Sequence, residues 1–381
     1  NLIRDLGQYL PSSADPDRAL NNLERFLKRC RSPLAMLSFL ERQPHAIAIL
    51  FQLFAASQYF SELIIDNPEY FDFVWEHGTE PVDPIRLKDE LLTEIRALQF
   101  QHEQVLAVIR RRRSRELLRI GFRDIVAGQP LDPITRSISD LADAMVETAL
   151  AVAYRKQSLK FGDPRSVVLG RGKLGGQELN YSSDIDLVIL YEEDGQTDGK
   201  TESKTHHATS APNSVFFAGV VQEMVSLLSA STPHGFAYRV DLRLRPHGRE
   251  APLCQSLRST LAYYDRHGRT WERQALVKAR PVAGYKPLGQ RFLQEVERFV
   301  YRRYLSFVEI NEIKSIKRQI EAKSDARHSG IINIKTGRGG IRDIEFIVQF
   351  LQLLNGGVHR DLRENNTLRS LRRHTDTGCI N

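Results

Sequence analysis

Apolar residues recur with helical spacing through most of the first 160 positions. Leucine, isoleucine and phenylalanine return every three or four residues within 20–27 and again within 47–54, which is the period of an amphipathic helix. Two further helices are predicted at 105–122 and 140–154. Prolines separate these segments. The pattern therefore predicts a helical N-terminal region over residues 1–160.

The pattern changes to that of β-strands over residues 161–290. Ser166–Leu169 and Ile185–Tyr191 are short runs rich in β-branched residues, typical of buried strands. Phe236–Arg245 alternates apolar and polar residues and ends at Pro246, which predicts a third strand. Its expected inward positions are Tyr238, Val240, Leu242 and Leu244, and its expected outward positions are Arg239, Asp241, Arg243 and Arg245.

Helical spacing returns over residues 291–381. Long amphipathic helices are predicted at 292–307 and 309–323, and another at 342–354 after the glycine-rich loop 335–340. The chain is therefore predicted to be α+β, with a small mixed β-sheet and its helices between helical N- and C-terminal regions.

Two polar stretches are expected to lie at the surface. Residues 193–214 are predicted to form a mobile insertion. Within it, the adjacent His206 and His207 indicate a metal only weakly. The basic run Arg110–Arg113 is interpreted as a solvated helix face rather than a binding surface.

Composition favours an anionic partner in a reducing compartment. The 381 residues carry a net charge of +7, which suits nucleotides, phosphate or an acidic protein and does not by itself indicate nucleic acid. Cys30, Cys254 and Cys379 form no closely spaced pair, so neither a disulfide framework nor a zinc site is expected. The same cysteine usage predicts a cytoplasmic location. The longest apolar segment, 47–56, is too short to span a bilayer. The first residue, Asn1, suggests a piece of a longer protein.

Three aspartates are the candidate catalytic and metal-binding residues. Asp184 and Asp186 alternate with Ile185 at the start of a predicted strand, so both carboxylates face the same side. Adjacent carboxylates repel each other unless a cation lies between them. If the strand that carries Asp241 lies alongside, three carboxylates meet and suit Mg²⁺, which prefers oxygen ligands. Alternatively, Asp241 acts as a base, or it only balances the charge of neighbouring arginines. For Asp184 and Asp186, the alternative is that they lie in an ordinary turn into a strand.

The glycine-rich turn before the acidic pair and the arginines around Asp241 are candidates to bind phosphate. Backbone N–H groups of such a turn and arginine forks both suit phosphate oxygens. The candidate phosphate- and nucleotide-binding residues are Gly172, Lys173, Gly175, Gly176, Ser183, Arg239, Arg243 and Arg245.

The order of these residues resembles the DNA polymerase β-like nucleotidyltransferase superfamily. Its signature is Gly-Ser or Gly-Gly, roughly ten residues, Asp-x-Asp and a third acid on a later strand. Here Lys173 stands where many members have serine. More closely, the chain resembles the bifunctional glutamine synthetase adenylyltransferase/adenylyl-removing enzymes over nearly its whole length. The segments that carry this resemblance are 172–187, 238–246, 271–280, 333–335 and 339–346.

This resemblance implies a nucleotidyltransferase palm domain at 161–290 and a function in nitrogen assimilation. Enzymes of that family have two similar halves: the N-terminal half removes AMP from a tyrosine of glutamine synthetase by phosphorolysis, and the other half adds it from ATP. Glu178–Asn180, Tyr263-Tyr264 and Val300–Leu305 are more similar to the N-terminal half. The implied activity is Mg²⁺-dependent deadenylylation that releases ADP, with glutamine synthetase, phosphate and adenine nucleotide as partners.

Three alternatives remain open at this stage. The chain could transfer AMP from ATP to the tyrosine, or it could be a non-catalytic module that responds to the signalling protein PII. A nucleotidyltransferase acting on nucleic acid is the third, although motifs for stacking bases are not evident. The polar insertion and the missing second half depart from the family pattern.

Overall fold

The computed structural model divides the chain into two compact units, Asn1–Leu141 and Ala142–Asn381. It describes residues 7–161, 165–197, 210–325, 333–335 and 337–380. The sheet and the C-terminal helices belong to the same unit, so the three regions predicted from the sequence are distributed over two units.

All regular structure in the described part of the first unit is helical. Its helices are α1 (Pro16–Arg29), α2 (Pro33–Arg42), α3 (Pro44–Ala56), α4 (Gln58–Asp66), α5 (Glu69–His77), α6 (Pro84–Ala97) and α7 (His102–Ile125), and α8 (Leu131–Phe161) continues into the second unit. Proline begins four of them, because its fixed φ suits the first helical turn and its missing N–H is not needed there. Asp15, Ser32 and Asp83 cap three of these helices by accepting backbone N–H groups.

The basic run Arg110–Arg113 on α7 is less solvated than its sequence predicts. Arg110 is buried and donates to the carbonyl four residues earlier. Arg112 pairs with Glu94 of α6 at 3.0 Å, and Arg111 pairs with the same carboxylate. The interpretation as a solvated face is wrong for most of this run, because two helices pack together there.

A five-stranded mixed sheet lies in the second unit. Its strands are β1 (Ser166–Arg171), β2 (Ile185–Tyr191), β3 (Val240–Asp241), β4 (Cys254–Ser256) and β5 (Arg280–Gly284). β1 pairs antiparallel with β2 and β5, while the other edge of β2 pairs in parallel with β3 near its start and β4 near its end. The strands predicted at 166 and 185 are confirmed, and the α+β class with them.

Helices cover the sheet and complete its core. They are α9 (Gly172–Gly175), α10 (Asn213–Ser229), α11 (Leu257–Arg266), α12 (Thr270–Leu276), α13 (Lys286–Val300), α14 (Phe307–Asp325), α15 (Ile341–Asn355) and α16 (Thr367–Asp376). Val167, Leu169, Val188 and Leu190 pack with Phe292 of α13 and Tyr264 of α11. Strands buried on both faces explain the continuous apolar runs in the sequence.

The third predicted strand, Phe236–Arg245, is mostly wrong. Only Val240 and Asp241 pair with β2. The Asp241 carboxylate accepts the backbone N–H of Arg243 at 2.8 Å, and such a local bond turns the chain. Of the expected inward side chains, only Tyr238 is fully buried.

The helix predicted at 292–307 is also too long, because α13 ends at Val300. The next helix starts with a capping box that the sequence pattern did not reveal: Ser306 N donates to Glu309 at 2.8 Å, and Glu309 N donates to Ser306 Oγ at 3.3 Å. These reciprocal bonds favour a new helix start over continuation of α13.

The polar stretch 193–214 is closed where it leaves the sheet. Thr197 N donates to the Ala211 carbonyl at 2.8 Å, and the Asn213 amide donates to the Glu193 carbonyl at 2.8 Å. Residues 198–209, with both histidines, lie outside the described residues, so the mobility of the insertion stays a prediction.

Within the part of the chain that the structure describes, no helix combines the length and the apolar composition needed to cross a bilayer.

Candidate active site

A cleft of about 620 Å³ opens in the second unit beside the start of β2. Its polar lining consists of six cationic side chains, four carboxylates and several neutral groups. The charged residues are Lys173, Arg239, Arg243, Lys278, Lys335, Arg342, Asp184, Asp186, Asp241 and Glu345, and Gly172, Asn180, Ser182 and Ser183 lie among them.

Sheet register brings the three aspartates together. Asp186 and Asp241 are direct partners in the parallel pairing of β2 with β3. Asp184 immediately precedes β2, two positions from Asp186, and both line the cleft because alternate side chains share a face. One short strand pair therefore brings together Asp186 and Asp241, which are 55 residues apart in the sequence.

Gly172 allows the turn after β1 to lie against Asp186. Its φ is +55°, a left-handed conformation that favours glycine, and a Cβ there would lie 2.5 Å from Asp186 Oδ2. Lys173 follows directly and lines the cleft. The glycine turn thus places a cationic residue beside the acidic pair.

Two of the predicted phosphate-binding arginines are paired with these carboxylates. Arg239 Nε lies 2.5 Å from Asp184 Oδ1. Arg243 Nε lies 2.9 and 2.7 Å from the two Asp241 oxygens. The hydrogen bonds from Arg243 hold the pKa of Asp241 below its usual range, so this carboxylate is a weak base.

Asp186 has the opposite electrostatic environment. Burial, followed by the neighbouring Asp241 and Asp184 charges, raises the pKa of Asp186 to about 6. None of the described cationic side chains forms an ion pair with Asp186. Its charge is therefore the least compensated of the three.

This donor set suits a hard divalent cation, which would offset the unfavourable charge at Asp186. In the side-chain positions observed, no three acidic, imidazole or thiol groups among the described residues converge on one point. Asp184 is instead paired with Arg239, and Asp241 with Arg243. Asp184, Asp186 and Asp241 nevertheless line the same cleft, so their assignment as cation ligands stays a prediction.

Three predicted phosphate-binding residues do not line the cleft. Gly175 is buried, and a Cβ there would lie 1.8 Å from the Lys278 carbonyl oxygen. The N–H of Gly176 donates to the Gly172 carbonyl at 3.1 Å. Arg245 is buried, contrary to the prediction that it faces outward with Arg243. Its guanidinium donates to the carbonyls of Leu242, Arg249, Ala251 and Pro252.

Four charged residues of the cleft were not assigned to it from the sequence: Lys278, Lys335, Arg342 and Glu345. Lys278 is buried, pairs with Glu178 and donates to Thr367 Oγ1 at 2.9 Å. The basic, glycine-containing stretch 333–342 was a possible signal, but its distance in sequence from the acidic pair conceals the contact.

A small mixed sheet that carries Asp-x-Asp after a glycine turn, with a third aspartate on the adjoining strand, defines a nucleotidyltransferase. Comparison with protein families agrees. The model of the glutamate-ammonia ligase adenylyltransferase family matches residues 47–295, and that of GlnD PII-uridylyltransferase matches residues 313–381. The chain therefore belongs to the glutamate-ammonia ligase adenylyltransferase family. Enzymes of this class generally use a divalent metal.

Curated relatives carry the description bifunctional glutamine synthetase adenylyltransferase/adenylyl-removing enzyme. The chain is 40% identical to the one from Hahella chejuensis over 74% of its own length and 29% of the relative's. The identity to the relative from Pseudomonas aeruginosa is 37% over 83% of this chain and 32% of the relative. The identity to the relative from Xanthomonas campestris is 34% over 98% of this chain and 38% of the relative. The chain thus spans about a third of the length of these relatives, and the match falls in their N-terminal half.

Proposed function

We propose that this chain removes AMP from adenylyl-tyrosine of glutamine synthetase by phosphorolysis and releases ADP. The observation that carries the proposal is the cleft itself, in which three aspartates lie among six cationic side chains. Such a site suits two phosphorus-containing anions, namely the adenylyl group and the attacking phosphate. The names of the relatives supply the protein substrate.

In the proposed reaction, an oxygen of hydrogen phosphate attacks the phosphorus of the adenylyl group. A new P–O bond forms as the bond from phosphorus to the tyrosine oxygen breaks. The proton of hydrogen phosphate ends on the tyrosine oxygen, so the products are ADP and unmodified tyrosine. The arginines that now bind Asp184 and Asp241 are candidates to stabilise charge on the adenylyl phosphoryl oxygens.

The direction is supported by the chemistry of Asp241. The opposite reaction, transfer of AMP from ATP to tyrosine, must take a proton from a tyrosine hydroxyl with a pKa of about 10. Asp241 is poorly suited to that task, because Arg243 lowers its pKa. Inorganic phosphate is already an anion near neutral pH, so phosphorolysis requires no strong base.

We further propose Mg²⁺ as the divalent metal, held by Asp184, Asp186 and Asp241. Magnesium binds carboxylate and phosphate oxygens at the same time. When bound, it would neutralise negative charge on the phosphoryl group. We also propose action in the cytoplasm. Cys30, Cys254 and Cys379 are all free thiols, as a reducing compartment allows.

The test is to incubate the chain with adenylylated glutamine synthetase, Mg²⁺ and inorganic phosphate and to quantify ADP. We expect ADP release that depends on phosphate and is lost in Asp186→Asn. Asp265→Asn, at an exposed position outside the cleft, is the matched control and should retain activity. Absence of ADP release under conditions where a two-half relative works would refute the proposal.

The rival is adenylyl transfer from ATP. Unmodified glutamine synthetase incubated with ATP labelled at the α-phosphate distinguishes it, because only the rival places label on the protein.

A second candidate function, a module that responds to PII, is favoured by the match of residues 313–381 to GlnD PII-uridylyltransferase. It predicts that PII binds the chain and that Asp184→Asn leaves every measured activity unchanged.

A further inference from the structure

The cationic side chains of the cleft differ in whether a carboxylate already pairs with them. The paired ones are Arg239, Arg243 and Lys278. Over the described parts of the chain, no ion pair is formed by Lys173, Lys335 or Arg342. Three cations without an ion pair in one cleft favour the binding of an anion.

Lys335 and Arg342 belong to one compact turn before and at the start of α15. The backbone N–H of Arg342 donates to the Lys335 carbonyl at 3.1 Å, and that of Ile341 donates to the Ile334 carbonyl at 3.0 Å. These bonds fix the two backbones side by side, and both residues line the cleft. Lys173 enters from the glycine turn after β1.

The one glutamate on this wall of the cleft does not neutralise Arg342. Glu345 Oε1 lies 4.0 Å from Lys278 Nζ and forms no ion pair with Arg342. The nearby Asp343 is engaged by the backbone N–H of Gly339 at 2.9 Å. The positive charge of this turn is thus available to a ligand.

We propose that Lys335 and Arg342, together with Lys173, bind the phosphate that attacks the adenylyl group. This inference rests on the proposed function and adds the residues that bind the nucleophile. The arginines paired with Asp184 and Asp241 then serve the adenylyl phosphoryl group, and the unpaired cations serve the second anion. The ligand chemistry is a phosphate oxyanion, and its source is free inorganic phosphate rather than the β- and γ-phosphates of ATP.

The direct test measures binding of inorganic phosphate to the full 381-residue chain by calorimetry, with Mg²⁺ present. Loss of a charge-assisted hydrogen bond should raise the dissociation constant about tenfold or more in Lys335→Gln and in Arg342→Gln. Lys314→Gln and Arg372→Gln are the matched controls, because both positions are exposed and lie outside the cleft. They should bind phosphate like the unaltered chain.

A kinetic test follows ADP release as phosphate is varied. The two cleft variants should raise the KM for phosphate by a similar factor while the KM for adenylylated glutamine synthetase is unchanged. A general loss of folding would instead alter both constants and the melting temperature, so a rise confined to phosphate identifies a binding role.

The outcomes separate this inference from the proposed function. If phosphate binds and the variants weaken it but no ADP forms, the phosphate site stands, while the proposed function and the role of this phosphate as nucleophile fail. If the chain binds no phosphate, or the variants bind it normally, the inference is overturned. If the variants weaken only ATP or pyrophosphate binding, the site belongs to the triphosphate, which also overturns it.

Discussion

Asp186 combines partial burial with two carboxylate neighbours, which makes its charge unfavourable in the folded chain. Its pKa of about 6 exceeds the reference value of 3.8. A carboxyl group that binds its proton more tightly when folded contributes stability below its unfolded pKa, and this contribution is lost as pH rises through about 6. Metal-free chain is therefore expected to be destabilised by Asp186 at pH 8.

Asp186→Asn should accordingly raise the stability of the metal-free chain at pH 8. The expected gain is about 1–3 kcal/mol, an upper range because solvent screens part of the repulsion. The gain should disappear at pH 4, where Asp186 is protonated in the folded state. Urea unfolding at both pH values measures it, with Asp265→Asn as control. An equal effect of Asp186→Asn at pH 4 and pH 8 would contradict the electrostatic explanation.

Gly172 is a second residue whose type is required by its surroundings. Gly172→Ala places a Cβ 2.5 Å from Asp186 Oδ2 in a left-handed backbone, whereas Gly235 has φ +75° and nothing within 4 Å of its Cβ position. Both alanine variants should lose about 1–2 kcal/mol from backbone strain.

Only Gly172→Ala should also displace Asp186 and reduce ADP release, by about a hundredfold for a shift near 1 Å. Unfolding curves and ADP assays on both variants measure the two effects separately. If Gly235→Ala reduces ADP release equally, strain alone accounts for the loss.

At the scale of elements, one buried ion pair connects three parts of the second unit. Glu178 precedes β2, Lys278 precedes β5, and Glu178 also accepts the backbone N–H of Thr367 at 2.8 Å at the start of α16. The carboxylate thus caps α16 while it compensates a lysine that is only 3% exposed. The C-terminal helix is thereby tied to the sheet that carries the aspartates.

Removing one partner of this pair should destabilise the fold strongly. Lys278→Met leaves Glu178, whose side chain is 13% exposed, without its cation, and we expect a loss of about 3–5 kcal/mol in the free energy of unfolding. Glu178→Gln should also destabilise, and the double variant should lose less than the sum of the two. A double-mutant cycle in urea measures this coupling. Additive losses would show that the two groups act independently.

At the scale of the whole molecule, the three cysteines differ in accessibility. Burial raises the pKa of Cys254 to about 12 and also raises the pKa of Cys30. Cys379 is partly exposed. Because the thiolate is the reactive form, the two buried thiols should react slowly in the native chain.

An aromatic disulfide reagent at pH 8 should therefore modify one thiol per native chain rapidly and all three in urea. Cys379→Ser should remove the rapid phase. Persistence of that phase would mean that a buried cysteine becomes exposed in the folded state.

Much of the fold was predictable because periodicity is a local property. The strands at 166 and 185 and the helices at 20–27, 47–54, 105–122 and 140–154 follow from spacing alone. The failures occur where specific bonds override the pattern: the Asp241 carboxylate turns the chain at Arg243, and the Ser306–Glu309 capping box starts a new helix. Alternation also could not reveal that Arg245 is buried, because backbone carbonyls of the following loop satisfy its guanidinium.

Local sequence is enough to place Asp184 and Asp186 on one face beside a glycine turn, because strand alternation and glycine conformation depend only on neighbouring residues. The pairing of Asp241 with Asp186, and the presence of Lys278, Lys335 and Arg342 in the same cleft, are visible only in the folded chain. These residues lie far apart in the chain, and packing of the sheet against the C-terminal helices brings them together. The same packing decides which cations are already paired and which remain available to an anion.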